Sequence, residues 1–182
     1  MKHFAIPFLV FLAGCNSTPS KITLNDLSKN TYVAFSIHCD APTTSVMAYK
    51  SGKKVFRTSA FSNDMYAACG DIVTGNRNGR KIIKVNPGTY FFGSYHSRNG
   101  AIQLKESNAY KFKASSNCIT YIGHIKLHTV HRTMKRIGSN QNIISSVKME
   151  ITDKFHSDID QLSKVQPSIK QACVEKNIGK KI

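Results

Sequence analysis

The stretch Ile119-Thr120-Tyr121-Ile122-Gly123-His124-Ile125-Lys126-Leu127-His128-Thr129-Val130 decides the fold class. It is rich in β-branched and aromatic residues, contains no proline, and sets Tyr121, Ile125 and Leu127 on one parity, as an extended strand does. The same signature recurs on both sides of it. Residues 31–37 alternate, with Val33, Phe35 and Ile37 on one face, and residues 46–49 and Val55-Phe56 flank the turn pair Ser51-Gly52. Residues 81–85 pass through Asn86-Pro87-Gly88 into 89–95. Proline cannot donate to a ladder and glycine tolerates positive φ, so the pair separates two strands. Arg98-Asn99-Gly100 turns into 102–104, and 110–113 follows. Beyond the opening stretch, residues 131–141 read as a polar, cationic link containing Gly138-Ser139-Asn140, after which Ile143, Val147, Met149 and Ile151 share one face of a last strand.

Seven or eight strands with frequent turns predict a mainly β chain built as an antiparallel β-sandwich, immunoglobulin-like or transthyretin-like, with a C-terminal helix. Asp153 is placed to cap that helix, in which Phe155, Ile159 and Leu162 recur at near-helical spacing. Pro167 interrupts or restarts it, and Ile169, Ala172 and Cys173 continue the apolar stripe. The 182 residues, 41% hydrophobic, suit one core rather than two. Apolar residues spread along the chain exclude a disordered protein, leaving only a short cationic tail after Ile178. No G-X-Y period or sustained heptad is present, which excludes collagen-like and coiled-coil classes.

The longest apolar run, residues 4–12, is too short to cross a hydrocarbon core, which needs about 20 residues. Preceded by Lys2 and followed by small residues, it has the build of an export signal. Its end, Leu12-Ala13-Gly14-Cys15, resembles the lipobox of bacterial lipoproteins. The resemblance implies cleavage before Cys15 and a diacylglycerol on its thiol, so that residues 1–14 are a signal peptide, 15–30 a lipidated N-terminus and tether, and 31–182 one domain. Asn16 after the cysteine, where the inner-membrane retention signal has Asp, implies the outer membrane facing the periplasm. Pro87-Gly88-Thr89-Tyr90, with Tyr121-Ile122-Gly123-His124-Ile125-Lys126-Leu127 after it, resembles a pattern of small uncharacterised β-sandwich lipoproteins. Those motifs imply structure and bring no catalytic residues.

The remaining cysteines are Cys39, Cys69, Cys118 and Cys173. Four exported cysteines suggest two disulfides, for which three connectivities exist. The favoured pairing is Cys39–Cys69, tying neighbouring strands, and Cys118–Cys173, pinning the C-terminal segment, each contributing roughly 3–4 kcal/mol. Free thiols are the alternative. No paired C-x₂-C knuckle is present, which argues against zinc.

Hydrolase and P-loop motifs are lacking. His124, His128 and His131 crowd one segment, but on a strand four residues span about 13 Å, too far for one ion. A solvated or partly buried strand face is the expectation, with no metal and no cofactor. Asp158 and Asp160, two apart on a helix, do not face each other and read as helix-start charge. Charge is more telling. The chain has 26 Lys+Arg against 10 Asp+Glu, a net +16. Between residues 72 and 149 the only acid is Glu106. Arg77, Arg80, Arg98, Arg132, Lys135 and Arg136, mostly in expected turns, form the candidate anion-binding set. The expectation is a non-enzymatic envelope protein held by its lipid and binding anionic polymers or an acidic protein through a cationic surface, with nucleic acid a poorer fit. The alternatives are a periplasmic enzyme with a non-local active site, and an inhibitor or immunity-type protein on an acidic partner.

Overall fold

The computed structural model describes residues 22–40, 45–52, 65–69, 78–97, 100–136 and 139–181. Cys15 and the lipobox, Val55-Phe56, Arg77 and Arg98 lie outside them. The chain is mainly β, with two sheets and a C-terminal helix. A five-stranded sheet runs β10-β8-β1-β4 with β9 also on β8, and a six-stranded sheet runs β11-β7-β5-β2-β3 with β6 also on β5. The strands are β1 (Thr31–Cys39), β2 (Ser45–Lys50), β3 (Met65–Ala68), β4 (Asn78–Val85), β5 (Gly88–Ser97), β6 (Gly100–Gln103), β7 (Tyr110–Ala114), β8 (Ile119–Arg136), β9 (Ser139–Thr152), β10 (Val174–Lys176) and β11 (Lys180–Lys181). Two α-helices, α1 (Leu24–Lys29) and α2 (Phe155–Val165), and 3₁₀ turns at Glu106–Asn108 and Pro167–Gln171 complete the described secondary structure.

The second sheet is antiparallel throughout, as expected. The first is mixed, because β8 runs parallel to both β1 and β10. Period-2 alternation shows that a strand exists but not its direction, so the wholly antiparallel expectation fails here. A parallel pair needs a long crossover. The route from β1 to β8 passes through β4 and every strand of the second sheet but β11, and the route from β8 to β10 passes through β9 and α2.

Strand β1 shows why the mixed sheet is central. Val33, Phe35 and Ile37 join Val46, Phe92, Phe112, Ile122, Ile125 and Leu127 in a core that draws on both sheets. On its opposite face Tyr32 and Ala34 join Leu27, Ile119, Tyr121, Leu162 and Ile169 in a second cluster under the helices. A strand covered on both faces reads as nearly continuous burial rather than alternation. Helix α1 opens with a capping box in which Thr23 and Asp26 bond reciprocally, and it buries Leu27. The folded body therefore begins before the expected boundary at residue 30.

Tyr121 does not share a face with Ile125 and Leu127. Ala34 pairs with Tyr121 and Ser36 with His124, so β8 spends one extra residue between them. Gly123, at φ +116°, absorbs this bulge, since a Cβ there would sit 2.5 Å from Ile151 Cγ2. The bulge sends Tyr121 and His124 to the helix face while Ile122, Ile125 and Leu127 stay between the sheets.

Both disulfides form in the favoured pairing. Cys39–Cys69 joins the end of β1 to the residue after β3, and thus one sheet to the other rather than two neighbours in a sheet. Cys118–Cys173 fastens the segment entering β8 to the one entering β10. The short cationic tail past Ile178 forms β11, with Lys180 and Lys181 paired to Lys111 and Tyr110. Two disulfides in a chain of this size suggest an extracytoplasmic protein.

Candidate functional site

Two regions carry the polar chemistry, and β8 passes through both. The first is a ribbon. The expected link at 131–141 is mostly strand, because β8 continues to Arg136 and β9 begins at Ser139. The two pair antiparallel all the way from His124↔Thr152 to Arg136↔Ser139. Pairing of β8 with β1 stops at Leu127, and Asp40 makes the last tie, accepting from the Thr129 N–H at 2.6 Å and the Thr129 hydroxyl at 2.5 Å. Farther out, β8 pairs with no strand but β9 among the described residues. His131, Arg132, Thr133 and Lys135 are exposed. Exposure on both faces removes the apolar alternation by which a strand is recognised, which is why this segment reads as a link.

Of the six candidate anion-binding residues, Arg132, Lys135 and Arg136 fall together on this ribbon. No acidic residue lies between 128 and 147. Arg80 stands apart, on the edge strand β4.

The second region is a buried polar cluster where β1, β8 and α2 meet. Ser36 on β1 lies across from His124 on β8, and its Oγ is 2.6 Å from His124 Nδ1. The same hydroxyl donates to Asp158 Oδ2 at 2.5 Å, and the Tyr121 hydroxyl donates to that oxygen at 2.7 Å. Arg80 Nε stands 3.4 Å from Asp158 Oδ1. Asp158 is only 2% exposed. It is therefore the centre of a network and not the solvated helix-start charge expected from its neighbour Asp160, which pairs with Lys164 at 3.1 Å on the surface. Lys154, not Asp153, takes the N-cap position of α2 and gives no side-chain cap, while Asp153, one residue earlier, accepts from the Phe155 N–H at 2.9 Å.

Proton positions follow from counting. The Ser36 hydroxyl has one hydrogen, and a carboxylate oxygen can only accept, so that hydrogen goes to Asp158. Oγ then offers His124 a lone pair, and Nδ1 must carry the ring proton. Nε2 is left as the bare acceptor, with no partner among the described residues. Burial first, and the Lys154 charge next, hold the His124 pKa below the ordinary histidine range against the opposing pull of Asp158. Burial and the bond to Asp158 push the Tyr121 phenol well above its usual range, so it remains a donor.

The three residue types match a serine-hydrolase triad, but the order does not. In a triad the imidazole stands between hydroxyl and carboxylate and takes the hydroxyl proton. Here the hydroxyl stands in the middle, its proton committed to Asp158 and its lone pair to His124, so nothing activates Oγ as a nucleophile. Around this cluster opens a cavity of about 320 Å³ lined by Ser36, Arg80, His124, Lys154, Ser157 and Asp158.

No family model, curated protein or solved structure matches the chain.

The three clustered histidines are not brought to one point. His124 is buried at the cavity, whereas His128 and His131 are exposed and pair across to Lys148 and Ile144. Cys118, Cys173 and Glu175 do gather within 4.8 Å, but both sulfurs are in a disulfide and offer no thiolate to a metal. Among the described residues no helix is long and apolar enough to cross a membrane.

Two signals for the buried cluster are present in the sequence. Asp158 lies three residues after Phe155 and four before Leu162, on the apolar stripe of α2, where an unpaired acid is costly. Ser36 follows Tyr32 and Ala34 on the even parity of β1, opposite the face first taken as the core.

Proposed function

We propose that the chain is an exported, non-enzymatic lipoprotein, anchored through Cys15 and built on a β-sandwich, that binds anionic polymers of the cell envelope through the β8–β9 ribbon. One observation carries this reading. A two-stranded ribbon, in which β8 pairs with no strand but β9 among the described residues, carries Arg132, Lys135 and Arg136 with no acid across residues 128–147. A hairpin alone is marginal in water, and its cations gain most by neutralising an extended polyanion laid along it. The export signal, the lipobox and the disulfides agree with this setting. An outer-membrane position is the finer part of the proposal and rests on Asn16.

The test has two arms. Metabolic labelling with a clickable fatty acid should mark the wild-type protein and not Cys15→Ser. A labelled Cys15→Ser variant overturns the anchor. Retention on immobilised heparin, a model polyanion, should fall steeply with salt and weaken in Arg132→Ser/Lys135→Ser. Retention that is independent of both salt and these residues overturns the polymer-binding reading, and binding only to acidic proteins would favour a protein partner instead.

A further inference from the structure

Arg80 lines more than the cavity beside His124. It also lines a second hollow of about 440 Å³, with Lys81 and Ile82 from β4 and Gln161, Leu162, Val165 and Gln166 from the end of α2. The residues from α2 fall in order along both hollows, Ser157 and Asp158 by the first, then Gln161, Leu162 and Val165 by the second. Because Arg80 lines both, the two can serve as one groove along α2 with a polar end and an apolar end. Val165 is 69% exposed there, a large aliphatic side chain held in water.

The polar end has a definite chemistry. Arg80 uses only Nε toward Asp158, which leaves its two terminal nitrogens without a partner among the described residues. Lys154 lines the same cavity and has no side-chain partner there. Arg80 and Lys154 outnumber Asp158 around the first cavity, and Lys81 adds a further cation by the second, a positive lining that suits an anion. His124 Nε2, fixed as an acceptor by the Ser36 relay, is 8% exposed as part of its residue and needs a donor. An anion alone cannot supply one, whereas an anion that also bears a hydroxyl can.

We propose that this groove binds a small amphiphilic anion. Its acidic head lies between Arg80 and Lys154, its hydroxyl donates to His124 Nε2, and its aliphatic part runs over Ile82, Leu162 and Val165. This site is separate from the ribbon and does not depend on the polymer-binding reading. Buried, preorganised polar groups around a charged head contribute more to affinity than the same groups in water, and Asp158 serves as the fixed point that holds Ser36, and through it His124, in place.

Three probes separate the parts: 3-hydroxyoctanoate, octanoate without the hydroxyl, and 3-hydroxybutyrate without the chain. Binding to the full-length protein is followed by calorimetry and by shifts of the histidine side-chain NMR signals. The expected result is saturable binding of 3-hydroxyoctanoate that moves the His124 signal, with both truncated probes about tenfold weaker or worse. Arg80→Gln should weaken 3-hydroxyoctanoate by about tenfold or more. Val165→Ser, an exposed change that leaves the fold intact, should weaken 3-hydroxyoctanoate but not 3-hydroxybutyrate. Absence of saturable binding, or affinity indifferent to Arg80 and Val165 in proteins with unchanged unfolding midpoints, overturns the proposal. Equal affinity for octanoate overturns the role given to His124.

Discussion

Strand β8 is one continuous element with two environments. From Ile119 to Leu127 it lies between β1 and its neighbours, and Ile119, Tyr121, Ile122, Ile125 and Leu127 are all fully buried. From His128 to Arg136 it pairs with no strand but β9 among the described residues, and even Val130 is 51% exposed. The backbone hydrogen bonding to β9 is the same kind in both parts. What differs is the number of layers that cover the side chains, and this decides what each residue does. A histidine in the inner part becomes a fixed acceptor in a proton-counted network, and a histidine in the outer part is a solvated surface group.

This contrast can be broken where the inner half is most tightly specified. Gly123→Ala forces a side chain into positive φ and onto Ile151, and it should lower stability by about 3 kcal/mol or more, read as a shift in the urea midpoint. A midpoint that does not move would mean that the bulge is not what sets the two faces of β8. Next in size is Tyr121→Phe. It removes one of the two hydroxyl donors to Asp158 Oδ2 while keeping the ring, and should cost about 1–2 kcal/mol, whereas a change of similar size at exposed Val130, such as Val130→Thr, should cost almost nothing.

A pH series sharpens the comparison further. The folded His124 ring resists protonation, and the unfolded ring takes a proton near pH 6.5. Below about that pH the unfolded state therefore binds more protons, so this contribution to stability is complete above it and is lost as pH falls toward the lower folded value. The difference between wild type and His124→Gln, read as unfolding midpoints across the pH series, should show that slope. Smallest of all is the effect of Arg132→Ser/Lys135→Ser on folding. The thermal midpoint should stay put while polyanion retention drops, and a large loss of midpoint would mean that the outer half is part of the core after all.

The same contrast explains how much could be read from sequence. Strand positions with a buried face announce themselves, so β1, β5, the inner half of β8 and most of β9 are legible, as is α2 from Phe155, Ile159 and Leu162. The cysteine spacing leaves three disulfide connectivities open; the favoured one forms, although Cys39–Cys69 joins two sheets rather than neighbouring strands. The ribbon is hidden because two solvated faces leave no period to count. The parallel pairings are hidden because direction is set by long crossovers, not by local pattern. The buried cluster needs three residues more than 30 positions apart, and Ser36, His124 and Asp158 each look ordinary until β1, β8 and α2 are brought together.

The attachment of the N-terminal segment sets a distance. The Ile22 N–H donates to Gln166 Oε1 at 3.1 Å, and the Ser168 hydroxyl donates to the Ile22 carbonyl at 2.7 Å, so the chain enters the body beside the end of α2. Gln166 also lines the apolar end of the groove. Seven peptide links separate Cys15 from Ile22, a leash of at most about 25 Å when fully drawn out. Under the proposed anchoring through Cys15, that leash works as a geometric filter. The apolar end of the groove cannot stray far from the bilayer surface, and an amphiphile leaving the membrane would meet the site within a protein's width of where it desorbed.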